Sequence, residues 1–381
     1  MSQRGANRLR ALAAAALRSI RRGQPRAEPA KPAKILVLHE LLLGDTLMLA
    51  PLLAALRARH TAAEIFLSVS PAYAPLFAGR PYGVRALPYS EREPDALASL
   101  AQARDCDLVI LPGENRYAVL ARALGAKWVV AFAGGKPAWK DRAVDQLVPM
   151  PATPTALADI FALLAGPPAD LRYSAADWPA PSCAPFDAPA LPYAVLHVGA
   201  GSPLRLWEPH KWRALADALA ASGLQVAWCG GPHESALVRA IDPGGLYPSY
   251  AGRLDLAQLW HLLAGARAAV TLDSGVAHLA KLTGTPAAVL FGPGSAVLFG
   301  KGRFWREHPM QAVAAADVPC RDQRHLFRRE LDWVRRCNRG AAECPRARCM
   351  EAILPEQVLA ALARAVSQGP LPVAQGPLPV E

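Results

Sequence analysis

Residues 34–59 read KILVLHELLLGDTLMLAPLLAALRAR, an apolar run followed by a loop with polar residues and then a leucine-rich segment. The run over residues 34–38 has the length of a strand, and the leucines after residue 46 recur at helical spacing. A buried strand followed by an amphipathic helix is typical of the βαβ unit, in which helices cover a parallel sheet. This stretch therefore predicts a parallel α/β domain.

The same alternation occurs in two rounds. Further apolar runs of strand length are EIFLSV, CDLVIL and KWVVAF in the first round, and YAVLHV, LQVAWCG, AAVTLD and PAAVLFG in the second. The stretch 166–192 between the rounds is rich in proline and alanine, which indicates an interdomain linker. We predict two parallel-sheet domains, over 34–180 and 181–366, with helices over 208–222 and 255–264.

The composition is that of a globular enzyme with a basic surface. Apolar residues make up 52% and charged residues 19%, and 42 basic against 31 acidic residues give a net charge of +11. Such a charge favours anionic partners, which include nucleotides, phosphorylated glycolipids and anionic membranes. No nucleic-acid-binding motif accompanies the charge, so we predict no nucleic-acid partner.

The two ends of the chain differ from its centre. Residues 1–33 form a basic segment whose apolar residues, Leu9, Leu12, Ala13, Ala16, Leu17 and Ile20, recur at helical intervals. This pattern leaves two interpretations open: a solvated tail, or an amphipathic helix on an anionic membrane surface. No uninterrupted apolar run reaches the length of about 18 residues that a membrane-spanning helix needs, and arginines directly follow the short apolar run of this segment. We therefore predict a cytoplasmic protein. Under the second interpretation, it contacts the inner face of the membrane. Residues 367–381 repeat QGPLPV and predict a disordered tail.

The loop after the first strand offers a candidate general base. Asp45 follows Gly44, and a carboxylate at this position could accept a proton from an acceptor hydroxyl. The alternative is that Asp45, together with Thr46, only caps the following helix. His39 and Glu40 lie in the same loop and are the rival bases.

Two later loops have the composition of phosphate-binding sites. In residues 197–207, HVGAGSPLRLW, glycines allow backbone N–H groups to approach a phosphate, Ser202 adds a hydroxyl and Arg205 a forked cation. Residues 272–280, LDSGVAHLA, begin a helix at which Asp273 and Ser274 are natural caps and Gly275 permits close approach. His278 lies one turn further. Either this helix is only capped, with His278 packed on a strand, or its N-terminus holds a pyrophosphate or a sugar.

Five motifs in order resemble glycosyltransferase family 9, the heptosyltransferases of the lipopolysaccharide inner core. They are Gly44-Asp45, Gly201 through Arg205 and Trp207, Gly230-Gly231 with Glu234, Asp273 through His278, and Phe291-Gly292-Pro293. The resemblance covers about residues 34–360. It implies a GT-B fold, in which two Rossmann-like parallel-sheet domains face each other across a cleft.

The resemblance also implies an activity and a set of roles. The activity is inverting transfer of heptose from ADP-heptose, or a similar nucleotide sugar, to a hydroxyl of the lipopolysaccharide core or a related glycan, with no cofactor required for the chemistry. Asp45 would be the general base, and Glu234 would lie near the ribose. The donor phosphates and sugar would be bound by Gly201, Ser202, Arg205, Asp273, Ser274, Gly275 and His278. The family usually has lysine where this chain has Arg205, which preserves the cation and changes its geometry.

Two other functions fit the same architecture. A GT-B sugar-nucleotide epimerase would share the phosphate loops and need no acceptor, and a non-catalytic scaffold would bind nucleotide sugar without turnover. A nicotinamide dehydrogenase is excluded, because the loop after residues 34–38 lacks the pattern GxGxxG.

Four cysteines, Cys320, Cys337, Cys344 and Cys349, lie in a segment that carries nine arginines against four acidic residues over 320–349. Three states stay open for them: a structural zinc or iron site, free thiols, or disulfides. The spacing lacks the CxxC pairs typical of zinc sites. The arginines of this segment could also face phosphates of an acceptor.

Overall fold

The computed structural model describes residues 27–93, 96–167, 169–189, 192–316 and 318–368. Most of the predicted amphipathic segment and the repeats of the tail lie outside these ranges, although the last helix continues through Gln368, into the predicted tail. The chain divides into two compact units, which meet in sequence between Pro181 and Ser182. None of the helices in the described ranges is long and apolar enough to cross a membrane.

The first unit contains a sheet of six parallel strands in the order β3-β2-β1-β4-β5-β6. The strands are β1 (Lys34–Val37), β2 (Glu64–Val69), β3 (Val84–Pro88), β4 (Leu108–Leu111), β5 (Trp128–Phe132) and β6 (Gln146–Val148). The helices are α1 (Leu43–Leu47), α2 (Ala50–Arg59), α3 (Ala96–Ser99), α4 (Ala118–Ala123) and α5 (Leu157–Ala162). β1 is central because it pairs on both sides, with Ile35 opposite Ile65 and Leu108.

The second unit contains a sheet of five parallel strands in the order β11-β10-β9-β7-β8. The strands are β7 (Tyr193–His197), β8 (Gln225–Cys229), β9 (Ala268–Leu272), β10 (Ala287–Phe291) and β11 (Met310–Ala314). The helices are α6 (Pro209–Ala221), α7 (Ser235–Ile241), α8 (Leu256–Ala264), α9 (Gly275–Thr283), α10 (Ala296–Phe299), α11 (Arg348–Glu351) and α12 (Pro355–Gln368).

Local sequence explains two of these helices directly. α6 begins with Pro209, which suits the first turn, and its buried face consists of residues three or four apart, such as Trp212, Leu215 and Leu219. α8 is preceded by a capping box: Asp255 accepts from the backbone of Gln258, whose side chain accepts from the backbone of Asp255. The predicted helices over 208–222 and 255–264 are therefore confirmed.

Each sheet reverses its strand order at one point, and ligands of open α/β sheets bind at that point, outside the carboxyl ends of the strands. In the first unit the reversal lies between β1 and β4, and in the second between β7 and β9. A parallel bridge from Trp228 to Ser249 extends the second sheet beyond β8, so both units follow the same winding order. The loops after these four strands are therefore the candidate positions of a ligand-binding site.

A short antiparallel hairpin interrupts the second half of the chain. Its strands are β12 (His325–Leu326) and β13 (Arg329–Glu330), and residues 324–334, called the arm below, pack within the first unit. The prediction that all of 320–349 belongs to the second domain is therefore wrong for the arm. The physical reason is a set of hydrogen bonds from Arg329 to loops of the first unit, described below.

Candidate functional site

Asp45 lies in the first turn of α1, just after β1, and is partly exposed. It does not cap a helix, as the alternative interpretation held, because α1 begins two residues earlier with Leu42 at the cap position and no side-chain cap. Thr46 donates instead to the carbonyl of Leu41, at 3.4 Å. The phenol of Tyr73 is close by: burial raises its pKa, a backbone contact with Leu43 lowers it and the charge of Asp45 raises it further.

His39 is excluded as a base by its hydrogen bonding. Its Nδ1 accepts from the backbone N–H of Leu41 at 3.1 Å, so the neutral ring carries its proton on Nε2. Burial lowers the pKa of His39 to about 3, which removes its ability to accept a second proton near neutral pH. The Nε2–H has no hydrogen-bond partner among the described residues and is available only as a donor.

Glu40 is held by three donors. Its Oε1 accepts from the hydroxyl of Ser90 at 3.3 Å and the backbone of Glu91 at 3.2 Å, and its Oε2 accepts from the hydroxyl of Tyr117 at 3.2 Å. These three bonds fix the position of the Glu40 carboxylate beside the loop that holds Ser90 and Glu91. Asp45 stays the predicted general base of this loop.

The second unit brings two of the predicted motifs together across its strand reversal. Arg205, in a single 3₁₀ turn after β7, donates to the backbone carbonyl of Asp273 after β9 at 2.7 Å. The same nitrogen lies 3.7 Å from Oδ2 of the Asp273 carboxylate. A Cβ at Gly294 would lie 1.9 Å from that oxygen, so the Phe291–Ser295 turn also packs directly against Asp273. Two phosphate-type loops and the glycine turn thus meet at one carboxylate.

Several buried polar atoms at this position have no hydrogen-bond partner within the described part of the chain. They are Nδ1 of His197, Oγ1 of Thr271, Oδ2 of Asp273, Oγ of Ser274 and Nδ1 of His278. Leaving a buried polar group without a partner costs about 1–3 kcal/mol, so a cluster of them is explained best by a ligand or water that satisfies it. Ser274 occupies the cap position of α9, but its side chain makes no cap bond, contrary to the expectation from its sequence.

The charges around Asp273 are cationic. Burial raises the pKa of its carboxyl, whereas Arg205, Lys281 and Arg336 lower it. His278, on α9, is buried and neutral, because burial and then the charge of Lys281 lower its pKa well below the ordinary value. A region with three cations acting on one carboxylate suits a multiply charged anion such as a diphosphate.

Glu234 lies against the glycines of two loops. Its Oε2 accepts from the backbone of Gly231 at 2.6 Å, and a Cβ at Gly199 would lie 1.5 Å from that oxygen. Burial lowers the pKa of His197, at the end of β7, and the charge of Glu234 opposes this shift. By contrast, a Cβ at Gly201 would meet nothing within 4 Å, so the space beside Gly201 is open.

The predicted donor-site residues thus gather in the second unit, Gly275 among them as the first residue of α9, while Asp45 belongs to the first unit. Residues that the sequence analysis did not single out are His197, Thr271, Lys281 and Arg336. His197 ends an apolar strand directly before the glycine-rich loop, a position from which it could have been found. Arg336 is far away in sequence, and no local pattern marks it.

The four C-terminal cysteines are all free thiols, which contradicts the disulfide alternative. Cys349 is buried, and its pKa is raised by burial, with Arg321 lowering it and Cys320 raising it. Cys337 accepts from the backbone of Arg339, and Cys344 donates to the carbonyl of Arg346. No group of three or more His, Cys, Asp or Glu side chains in the described ranges is placed to hold a metal ion. As placed, the four thiols do not form a ligand set, and a metal stays a prediction from the sequence.

Residues 98–327, more than half of the chain, match the family model for glycosyltransferase family 9 (heptosyltransferase). Lipopolysaccharide heptosyltransferase 1 of Salmonella typhimurium is 32% identical over 104 residues, 27% of this chain and 32% of that protein. The alignments span about a third of the length of the curated relatives.

Two solved structures share the fold along most of the chain. A glycosyltransferase family 9 protein from Veillonella parvula is 15% identical with a TM-score of 0.67, over 88% of this chain and 98% of that one. ADP-heptose lipopolysaccharide heptosyltransferase II of E. coli is 20% identical with a TM-score of 0.64, over 88% and 99%. These likenesses confirm the GT-B fold class. With the family model matched over more than half of its length, the chain belongs to glycosyltransferase family 9.

Proposed function

We propose that this chain is an inverting glycosyltransferase that moves a heptose from ADP-heptose to a hydroxyl of the lipopolysaccharide core or a related surface glycan. The observation that carries the proposal is the meeting of Arg205 and Asp273 at the strand reversal of the second unit. Buried polar atoms without partners and an excess of cations surround this contact, which suits an anionic ligand with many oxygens.

The leaving group of such a transfer is a diphosphate. Arg205, the backbone N–H groups near Gly201 and the N-terminal end of α9 would neutralise the charge that develops as the bond to the sugar breaks. Arg205 is suited to this role because its contact with the Asp273 carbonyl fixes one nitrogen and leaves the remaining donors of its fork for a ligand. Asp273 and Ser274 would accept or donate hydrogen bonds at hydroxyls of the donor.

The acceptor must lose a proton as its oxygen attacks the anomeric carbon. Asp45 would take this proton, because it is a partly exposed carboxylate in the first turn after β1, whereas burial keeps the imidazole of His39 neutral. Attack from the side opposite the leaving diphosphate inverts the anomeric configuration in one step. In this scheme the first unit handles the acceptor and the second unit handles the donor.

The first test is calorimetric titration with ADP, ADP-heptose, UDP, GDP and CMP. We expect selective binding of the two adenine compounds, and a loss of about 10- to 100-fold in affinity for Arg205→Ala, since hydrogen bonds to charged groups contribute about 1.5–3 kcal/mol. Arg239→Ala is the matched control, because Arg239 is an exposed arginine of the same unit on α7. Preference for UDP or GDP would contradict the heptose assignment.

Turnover distinguishes the transferase from its alternatives. Release of free sugar from ADP-heptose without any acceptor would favour an epimerase-type reaction, and binding with no turnover across an acceptor series would favour a scaffold. Transfer to heptose-deficient lipopolysaccharide, or to another surface glycan, is the result expected here.

We further infer a cytoplasmic protein whose basic N-terminal segment binds the inner face of the membrane. The support is the apolar stripe over Leu9–Ile20 and the arginines beside it. Co-sedimentation with vesicles containing anionic lipid, and not with neutral vesicles, is expected for the full chain and is expected to be lost when residues 1–26 are deleted.

A further inference from the structure

Arg329 is a buried arginine, and each N–H group of its guanidinium has an acceptor. It is 3% exposed, although it lies in a hairpin of only four strand residues. Its nitrogens donate to the carbonyls of Gly113, Phe132 and Ala133 and to the side chain of Asn115, at 2.8–3.2 Å. A fifth bond, to the carbonyl of Phe327 at 3.0 Å, lies within the hairpin itself.

The partners of Arg329 belong to two loops at one edge of the first sheet. Gly113 and Asn115 follow β4, while Phe132 and Ala133 are the end of β5 and the residue after it. Asn115 also donates to the Phe132 carbonyl at 2.9 Å and to Asp141 at 2.6 Å. One guanidinium therefore joins the β4 and β5 loops at their carboxyl ends, which is the edge where ligands of such sheets bind.

The loop after β4 also contacts the loop after β1. Arg116, next to Asn115, donates to the hydroxyl of Tyr117 at 2.7 Å, and that hydroxyl donates to Glu40 at 3.2 Å. Glu40 and Asp45 lie on the same loop and helix after β1. The contacts of Arg329 thus hold a loop whose own contacts reach Glu40, in the segment after β1 that also carries the candidate base Asp45.

The arm is seated firmly enough to do this. Phe327 and Arg328 both have positive φ, at 47° and 62°, a conformation that residues with side chains adopt at a cost unless neighbours hold them. The ring of Phe327 lies 5.9 Å from that of Phe161, and Trp333 donates to the carbonyl of Pro151 at 2.8 Å. Leu326 is 2% exposed. All of these contacts are made within the first unit.

We propose that the arm, residues 324–334, shapes the acceptor-binding loops of the first unit and that Arg329 is the positioning residue that holds them. The proposal rests on the proposed function, in which the first unit handles the acceptor. It means that the second half of the chain supplies a part without which the acceptor side is incomplete. Arg329 would act on acceptor binding and leave donor binding, in the other unit, unchanged.

The chemistry predicts what its loss does. Without the guanidinium, the carbonyls of Gly113 and Ala133 lose the donor that Arg329 supplies, and that of Phe132 keeps only the bond from Asn115. Buried carbonyls without a donor draw in water or shift. Arg329→Lys keeps the charge and supplies three donors from a single atom, which cannot reproduce the fork that spans two loops. Both variants are expected to loosen the loops, the alanine variant more than the lysine variant.

The test compares Arg329→Ala and Arg329→Lys with Arg324→Ala in the full chain. Arg324 is an exposed arginine of the same arm, and its ion pair with Asp332 contributes little. Hydrogen–deuterium exchange of residues 112–117 and 132–137 is expected to rise at least about tenfold in the Arg329 variants and to stay unchanged in Arg324→Ala. The dissociation constant for ADP should stay within about twofold in all three.

The kinetic readout uses saturating ADP-heptose and heptose-deficient lipopolysaccharide in detergent micelles as acceptor. We expect the acceptor KM of Arg329→Lys to rise about tenfold with the donor KM unchanged. Unchanged exchange in both loops, or equal losses in donor and acceptor binding, would overturn the positioning role. Wild-type protein that binds ADP but transfers nothing would instead overturn the proposed function, while the exchange data would still decide whether Arg329 holds the loops.

Discussion

The two sheets have the same winding order, but the polar groups at their carboxyl edges differ in how far they are hydrogen-bonded. At the edge of the second sheet, buried polar atoms of Thr271, Ser274 and His278 have no hydrogen-bond partner among the described residues. At the edge of the first sheet, Glu40 and Asn115 are each held by several partners. The second edge therefore leaves a cluster of polar groups for a ligand to satisfy, whereas the first, apart from Nε2 of His39 and Nε of Arg116, is organised largely by its own contacts.

This difference suggests how the two halves divide the work of a transferase. A donor with a diphosphate brings many oxygens and a high charge, and burying it requires polar groups and cations that are in place before it binds. An acceptor hydroxyl brings one proton to be removed, which requires one carboxylate in a fixed place. A partly exposed Asp45 in the first turn of α1 fits the second requirement.

The largest effect is expected from Asp45→Asn. Loss of a general base lowers turnover by about 10²- to 10⁴-fold, whereas the affinity for ADP should not change because the donor residues lie in the second unit. Steady-state kinetics with titration of ADP measures both. Glu64→Gln, a surface carboxylate at the amino end of β2, serves as the control. An Asp45→Asn variant with near wild-type turnover would remove the base from this loop.

The next effect concerns the glycines of the donor loop. Gly199→Ala places a Cβ where Glu234 now lies, so we expect Glu234 to be displaced, the fold to lose about 1–3 kcal/mol of stability and ADP to bind about tenfold more weakly. Gly201→Ala is the comparison, because the space around it is open and its stability should match wild type. Thermal unfolding and calorimetric titration separate the two effects. Equal stability of both variants would contradict the packing of Glu234 on Gly199.

How much of this could be predicted from the sequence depends on the range of the interactions. The long buried strands and the donor motifs were found because each motif directly follows a strand, and parallel strands bring their ends together. The edge strands β3, β6 and β11 were not identified, since they are short or only partly buried and lack a continuous apolar run. The alternative interpretation of Asp45 as a helix cap is wrong, because polar residues that suit a cap do not always occupy that position.

The contacts of Arg329 could not be predicted from local sequence patterns. Its bond to Asn115 joins residues 214 positions apart, between a two-residue strand and a loop of the other half of the chain. The sequence showed only an arginine-rich segment, which is more typical of a solvated surface than of a buried guanidinium. The buried position of Arg329 follows only from the loop carbonyls to which it donates, and the structure is needed to identify them.

A smaller effect is expected on the pH dependence of stability, and it compares the two units directly. Burial lowers the pKa of His39 in the first unit and of His308 in the second to about 3. Below pH 6.5 the unfolded chain then binds more protons than the folded one, so the free energy of unfolding is highest above pH 6.5 and falls as the pH falls towards 3. Each histidine contributes a slope of about 1.4 kcal/mol per pH unit over that window.

Urea unfolding between pH 7 and pH 5 tests this. His308→Gln, which can still donate to the carbonyl of Ala280, should reduce the slope by about one proton, and His39→Gln should do the same. A slope that does not respond to either buried substitution would mean that these rings are solvated in the folded protein.

The smallest effect is expected from Glu40→Gln, which tests whether the first unit's network is structural or chemical. The amide keeps an acceptor oxygen for Ser90 or Tyr117 but loses the charge, so we expect a loss of about 1 kcal/mol in stability and turnover within a few-fold of wild type. Kinetics measured beside Asp45→Asn gives the decisive comparison. If Glu40→Gln abolished turnover and Asp45→Asn did not, Glu40 would be the working base, and the network would belong to the chemistry. If the order is the one expected, the three donors hold Glu40 in place as part of the structure, and Asp45 is the carboxylate that takes the proton.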